Sequence, residues 1–189
     1  MKKILQKEEK VLHLMAKEVP IADIQTTKIK KVLKEMSEAL KSQDDGVAIA
    51  APQIGYSLRI FIVSGKIFAQ DFAKSREERM LNQNNLVKTS EEIKREEEPK
   101  NLVFINPKIS KLSREKDWIP EGCLSVRPLY GKTLRSKKAT ATAYDENGKK
   151  FTRGGSGLLA QIFQHETEHL NGILFIDHAK DIKAEEINK

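Results

Sequence analysis

Residues 154–172 read GGSGLLAQIFQHETEHLNG, and this stretch decides how the chain is organised. Gly154-Gly155 precede a run with helical periodicity, Ser156 stands where an N-cap belongs, and Asn171-Gly172 supply a left-handed stop. A helix is therefore expected from about Ser156 to Leu170. Within it, His165 and His169 lie four residues apart. At about 100° per residue they stand about 40° from each other, so both imidazoles can reach one metal ion. Glu166 flanks that face, placed to act on a water at the ion without ligating it, which is the division of labour in the H-E-x-x-H pattern. Leu158 and Ile162 continue the face and put the ion at the edge of an apolar pocket. A surface helix that happens to carry two His and two Glu is the plainer reading. Against it, half of the chain's 4 histidines fall here at ligand spacing, and Leu158, Leu159, Ala160, Ile162 and Phe163 make the turns before them largely apolar.

Outward from this helix, the chain is long enough for one domain with a real core: 189 residues, treated as one unit over 1–189. The hydrophobic fraction of 39% and mean hydropathy of −0.53 suit a globular protein with a charged surface. No apolar run approaches the roughly 18 residues of a membrane span, and the start, MKKILQKEEK, has no apolar segment behind its lysines. A cytoplasmic location is the expectation. The net charge of +7 favours acidic partners such as RNA-rich particles. The basic residues are spread, with loose clusters at 28–34, 132–138 and 180–189, and no aromatic residues interleave them as a stacking platform would need.

Other elements are readable from periodicity. Ile29, Val32, Leu33, Met36 and Leu40 predict an amphipathic helix over 28–42, with Thr26 or Thr27 as its cap. Arg59 to Val63, with Ile60, Phe61, Ile62 and Val63, is a short apolar run of the buried-strand kind, and Leu102 to Ile105 is another, closed by Asn106-Pro107. Between them, about 65–100, NQNN and SEEIKREEEPK offer little to pack, so this stretch reads as a partly helical surface insertion. Residues 138–152 predict a hairpin around Asp145-Glu146-Asn147-Gly148. Short antiparallel hairpins with few helices make the class α+β.

Two histidines leave a catalytic metal site one protein ligand short. A metzincin-type continuation needs His at position 175, which is Phe175; a downstream Glu could come only from Glu185 or Glu186 in a Lys-rich tail. Neither fits well, which turns attention to the chain's 1 cysteine, Cys123. A lone cysteine is most often a small buried hydrophobe, but Cys123 sits in EGCLS at 121–125. EGCLS, GVAIAAPQ at 46–53 and QHETEHLNG at 164–172 together resemble the three signature segments of the peptide deformylases, in order and suitably separated. The insertion resembles that of the longer members.

The resemblance implies a peptide-deformylase-like fold, with antiparallel or mixed sheets around a central metal-binding helix. It implies Cys123 as thiolate ligand beside His165 and His169, and Glu166 as general base and then acid. Gln53, through its amide, and Leu124, through its backbone N–H, would stabilise the oxyanion. Gly46 and Val47 would lie along the bound peptide, while Ile119, Leu158 and Ile162 would line a methionine pocket. The implied reaction removes formate from the N-formyl-methionine of newly made polypeptides. The implied cofactor is one divalent ion, natively ferrous iron, with zinc, nickel or cobalt able to occupy the site. The positive charge would suit docking near the ribosomal exit.

Two positions depart from the family pattern. Ala48 replaces a glycine, so an added methyl is expected to crowd the edge on which substrate is laid. Glu168 replaces an aspartate. It falls on the opposite flank from Glu166, with Arg135, twelve residues after Cys123, and Glu121 as candidate partners. The competing readings are an H-E-x-x-H peptidase cutting internal bonds, for which Cys123 would be dispensable, and a weakly active deformylase-like protein that binds the ribosome.

Overall fold

The segment IFIV at 60–63 contains no polar residue because both faces of its strand are covered. The computed structural model describes residues 2–69, 72 and 99–184. Its strands are β1 (Ala48–Ala50), β2 (Ile60–Val63), β3 (Leu102–Leu112), β4 (Lys116–Gly122), β5 (Leu129–Ser136), β6 (Lys138–Tyr144), β7 (Lys150–Ser156) and β8 (Lys180–Ala184). Its α-helices among the described residues are α1 (Thr27–Lys41) and α2 (Gly157–Leu170). One sheet has five strands in the order β1-β2-β3-β6-β7 and the other three in the order β4-β5-β8. Every ladder is antiparallel; the parallel pairing among the described residues is an isolated bridge between Lys17 and Leu58.

Alternation along β1, β2 and β3 sorts side chains to opposite faces of the larger sheet. Ile49, Ile60, Ile62 and Ile105 pack with Ile29, Val32, Met36 and Leu40 of α1. Ala48, Ala50, Phe61, Val63 and Phe104 pack with Ala160, Ile162, Phe163 and Leu170 of α2. Fully burying a side chain such as Met36, Ile60 or Phe61 stabilises the fold by about 1.5–3 kcal/mol. On α1, the Thr26 side chain accepts from the Ile29 N–H, as the cap reading expected.

The hairpin β6–β7 explains how α2 comes so close to the sheet. Ala139, Ala141 and Ala143 face inward and are buried, while Thr142 points outward and shares a hydrogen bond with Thr152. Small residues on the inner face give the helix room. Gly155 adds to it, since a Cβ there would stand 2.7 Å from Leu159 Cγ. The α2 helix thus rests on the five-stranded sheet and also touches β5 of the smaller one. It is the element the two sheets share.

Three local expectations differ. The β3 strand does not close at Asn106-Pro107 but continues to Leu112, with the register shifting between Ile105 and Lys108. Asn106 adopts φ 50°, and its side-chain amide both accepts from the Val19 N–H and donates to the Val19 carbonyl. The bulge replaces lost ladder bonds with side-chain ones, so the strand survives the proline. Ser156 occupies the N-cap position of α2, but its side chain makes no capping bond, and Gly154 and Gly155 belong to β7. Of the insertion, Gly65–Phe68 forms a 3-10 turn; the stretch read as partly helical lies mostly outside the described residues.

Candidate metal centre

Cys123 follows directly on β4, where the smaller sheet ends against α2. Gly122 pairs with Tyr130 across β4–β5, and a Cβ on it would stand 2.5 Å from the Tyr130 ring, so glycine lets the chain pass under that ring without displacing it. The turn is then tied back on itself: the Ser125 N–H donates to Cys123 Sγ at 3.4 Å, and the Val126 N–H to the Cys123 carbonyl at 3.1 Å. Leu12, Val126, Leu174 and Phe175 surround the thiol, leaving Cys123 9% exposed.

From α2, His169 brings Nε2 to 3.1 Å from Cys123 Sγ. The His165 ring lies 4.8 Å from the His169 ring, at 79° to it. Among the described residues, Cys123, His165 and His169 form a group whose ligand atoms all lie within 4.8 Å of one another. Bonds of about 2.3 Å to sulfur and about 2.0–2.1 Å to nitrogen can close such a set on a single ion. One thiolate and two imidazoles suit a borderline transition metal rather than magnesium or calcium.

His165 Nδ1 is 2.6 Å from Glu121 Oε1, which orients the ring with Nε2 toward the thiol side. Glu121 is itself saturated. It accepts from Arg135 Nη2 at 2.6 Å and Nε at 3.0 Å, from Thr133 Oγ1 at 2.7 Å and from Gln161 Nε2 at 3.2 Å. Burial by itself would push this carboxyl up. The bonds from His165 and Arg135, with the arginine's charge, outweigh it and hold Glu121 well below the usual carboxylate range. Arg135 also grips Glu168 with both terminal nitrogens, and burial would lower its pKa, but the two carboxylates raise it instead.

Glu166 has the opposite environment. Its Oε2 is buried without a hydrogen-bond partner, and desolvation pushes its carboxyl up to about 7. A group poised near neutrality is suited to both taking and giving a proton. His169 Nδ1 is likewise buried without a partner, and burial lowers the His169 pKa well below its ordinary value. An imidazole kept neutral is the form that binds a metal.

Gln53 arrives from the opposite side, in the 3-10 turn Ala51–Ile54 that follows β1. Its Oε1 accepts from the Ala50 N–H at 2.8 Å, which fixes the amide so that Nε2 points at Cys123 Sγ, 3.6 Å away, and Ser125 Oγ, 3.1 Å away. The Leu124 carbonyl accepts from Gln6 Nε2 at 3.2 Å. Val47, Leu158 and Ile162 share the apolar cluster beneath β1, while Ile119 lies on β4 opposite Thr133, outside that cluster. Gly46 is buried beside Gln43 and Leu40. The Ala48 methyl is buried in the apolar cluster against which Val47 packs.

Sequence reasoning did not single out Thr133, Gln161, Ser125 or His178. Thr133 is fully buried, but on a strand whose inner face is not apolar, and the other three carry no spacing signal either.

The chain is similar to known proteins over most of its length. The family model described as polypeptide deformylase matches residues 1–185. Peptide deformylase 2 of Clostridium acetobutylicum is 34% identical over 177 residues, covering 94% of this chain and 94% of the relative. A probable peptide deformylase from Synechococcus phage S-SSM7 superposes with a TM-score of 0.70 at 29% identity, over 94% of this chain and 99% of that one. A Met-Ala-Ser-bound peptide deformylase from Acinetobacter baumannii gives 0.72 at 26% identity, over 94% and 98%. The internal-bond peptidase reading finds no support in these relatives. The chain belongs to the peptide deformylase family and is a metal-dependent deformylase.

Proposed function

We propose that this deformylase takes N-formyl-methionyl ends of new polypeptides as its substrate, with Cys123, His165 and His169 holding the ion and Glu166 moving the proton. The observation that carries the assignment is the approach of Cys123 Sγ to His169 Nε2 at 3.1 Å, on the same helix as a buried Glu166 whose Oε2 bonds no other group of the protein, on a chain of this family. A divalent ion held there would supply Lewis acidity and bring the pKa of a water toward neutrality. Ferrous iron is the native ion in this reading, with zinc, nickel or cobalt able to substitute; a thiolate ligand suits all four.

The protein's own groups do the rest. Glu166, with its carboxyl pushed up to about 7, takes the proton from the attacking water and returns it to the departing amine nitrogen. Gln53 Nε2, its direction locked by Ala50, and the Leu124 N–H donate to the oxygen on which charge develops, and one such donor is worth about 10²–10³ in rate. The outer edge of β1 carries no strand among the described residues. An extended peptide can add there beside Gly46 and Val47, gaining main-chain hydrogen bonds. Leu158 and Ile162, with Ile119 at the rim, receive the methionine side chain. Glu121, Arg135 and Glu168 hold His165 in place from behind. One catalytic domain over 1–189, a cytoplasmic location and electrostatic docking on the ribosome complete the proposal; no helix among the described residues is long and apolar enough to cross a membrane.

The test is formate release from a formyl-Met-Ala-Ser peptide by anaerobically purified protein, with metal content measured on the same sample. Cys123→Ala should lose both the ion and turnover. A Cys123→Ala protein that keeps its metal and its rate would remove the thiolate from the site. Docking should weaken with salt; ribosome co-sedimentation insensitive to ionic strength would exclude an electrostatic origin.

A further inference from the structure

The segment that leaves α2 turns back on the helix and touches the site from behind. Gly172, at φ 74°, makes the reversal possible, and a Cβ on it would meet the His13 backbone at 2.7 Å. The Ile173 N–H donates to the Glu168 carbonyl at 3.0 Å, and Asp177 Oδ2 accepts from the Leu174 N–H at 2.8 Å, closing the short turn Phe175–Asp177. Phe175, 1% exposed, brings its ring to 6.4 Å from the His165 ring. Three residues on, His178 Nε2 stands 3.1 Å from Glu168 Oε2.

We infer that His178 is a positioning residue for the metal-binding imidazole His165, acting through Glu168, Arg135 and Glu121. The inference rests on His165 being a metal ligand. The four links are continuous: His178 to Glu168, Glu168 to Arg135 by two bonds, Arg135 to Glu121 by two more, and Glu121 to His165 Nδ1. Arg135 and Glu121 have side chains only 3% exposed, whereas Glu168 is 24% and His178 37% exposed. Of the three groups that link His178 to His165, Glu168 is therefore the loose one. Its three rotatable bonds let it swing into water, which would leave Arg135 buried with surplus donors and free to rotate away from Glu121. His178 occupies the second acceptor site of Oε2, the oxygen already bonded to Arg135 Nη2 at 2.7 Å, and so closes that escape. As it stands, the Glu168 carboxylate meets both partners at once.

The measurement is the rate at which the Co(II)-loaded protein surrenders its ion to a chelator, with the visible Co(II) spectrum and kcat and KM read on the same samples. Direct partners of a ligating histidine are typically worth about 10–100-fold in metal affinity. His178 stands further out, so His178→Ala should release the ion about three- to tenfold faster, alter the Co(II) bands, and lower kcat with KM within about twofold. His178→Gln, whose amide can still donate to Glu168, should restore most of the loss. In a Glu168→Asp background, where the shorter acid cannot span both partners, removing His178 should add nothing. Metal release and spectrum unchanged in His178→Ala, no rescue by glutamine, or full additivity with Glu168→Asp would each overturn the inference while leaving the metal-site reading intact. A parent protein that binds no ion would overturn both.

Discussion

The two faces of the five-stranded sheet are covered by helices of nearly equal length, α1 with 15 residues and α2 with 14, but they bury different chemistry. The buried residues of α1 are Ile29, Val32, Leu33, Met36, Ala39 and Leu40, without a polar group among them. Those of α2 include Gln161, Gln164, Glu166 and His169. An amphipathic helix on an outer face needs only an apolar stripe, because its other side meets water. A helix held between two sheets has no such side, so its polar residues must find partners or keep a function. Gln164 finds them, bonding the Ser136 backbone and the Ala160 carbonyl; Gln161 bonds Pro120 and Glu121. Glu166 Oε2 does not. Among the protein's own groups nothing claims that oxygen, which leaves it available to a water or a substrate.

Four substitutions can break or sharpen this contrast. The largest effect is expected from Glu166→Ala, which should reduce formate release by about 10²–10⁴ while metal content stays stoichiometric and the thermal midpoint does not fall. A midpoint that dropped as far as for a core truncation would mean that Glu166 stabilises the fold, and the contrast would collapse. Next is Arg135→Ala. It strands the carboxylates of Glu121 and Glu168, and loss of one partner from a buried pair destabilises by about 3–5 kcal/mol, to be read from denaturant unfolding of the metal-free protein. An effect below about 1 kcal/mol would show that water reaches this network. On the other face, Met36→Ala should cost about 2–5 kcal/mol in the same unfolding assay with kcat within twofold of the parent, since Met36 is fully buried away from the site. Smallest of all, Lys31→Ala removes a long helix pair between an exposed lysine and Glu35 and should change stability by less than about 0.5 kcal/mol; a larger loss would make the outer side of α1 more than a solvated surface.

The amphipathic stripe of α1, the apolar run of β2 and the β6–β7 hairpin were legible because each is a local periodicity or a turn signal. The whole of β4, β5 and β8 was not named from pattern. Alternation on β5 runs through Gly131, Thr133 and Arg135, buried residues that are not apolar, while every residue of β8 is exposed. Pattern reading fails when the inner face of a strand is made of polar groups satisfied by a distant helix. The continuation of β3 past Pro107 failed for a related reason: the bonds that rescue it come from Val19, 87 residues away in sequence.

For the site the division is similar. Four-residue spacing on a helix determines that His165 and His169 share a face, and adjacency determines that Glu166 flanks it, so these relations stood in the sequence alone. So did the likeness to a family carried by EGCLS, GVAIAAPQ and QHETEHLNG. That Cys123 Sγ meets His169 Nε2, that Glu121 takes His165 Nδ1 while Arg135 joins it to Glu168, and that His178 closes the chain were decided by the tertiary structure. The physical reason is range. Helix geometry fixes neighbours within a turn, whereas the thiol and the carboxylate reach the imidazoles only because burying α2 between two sheets brings the end of β4 against it.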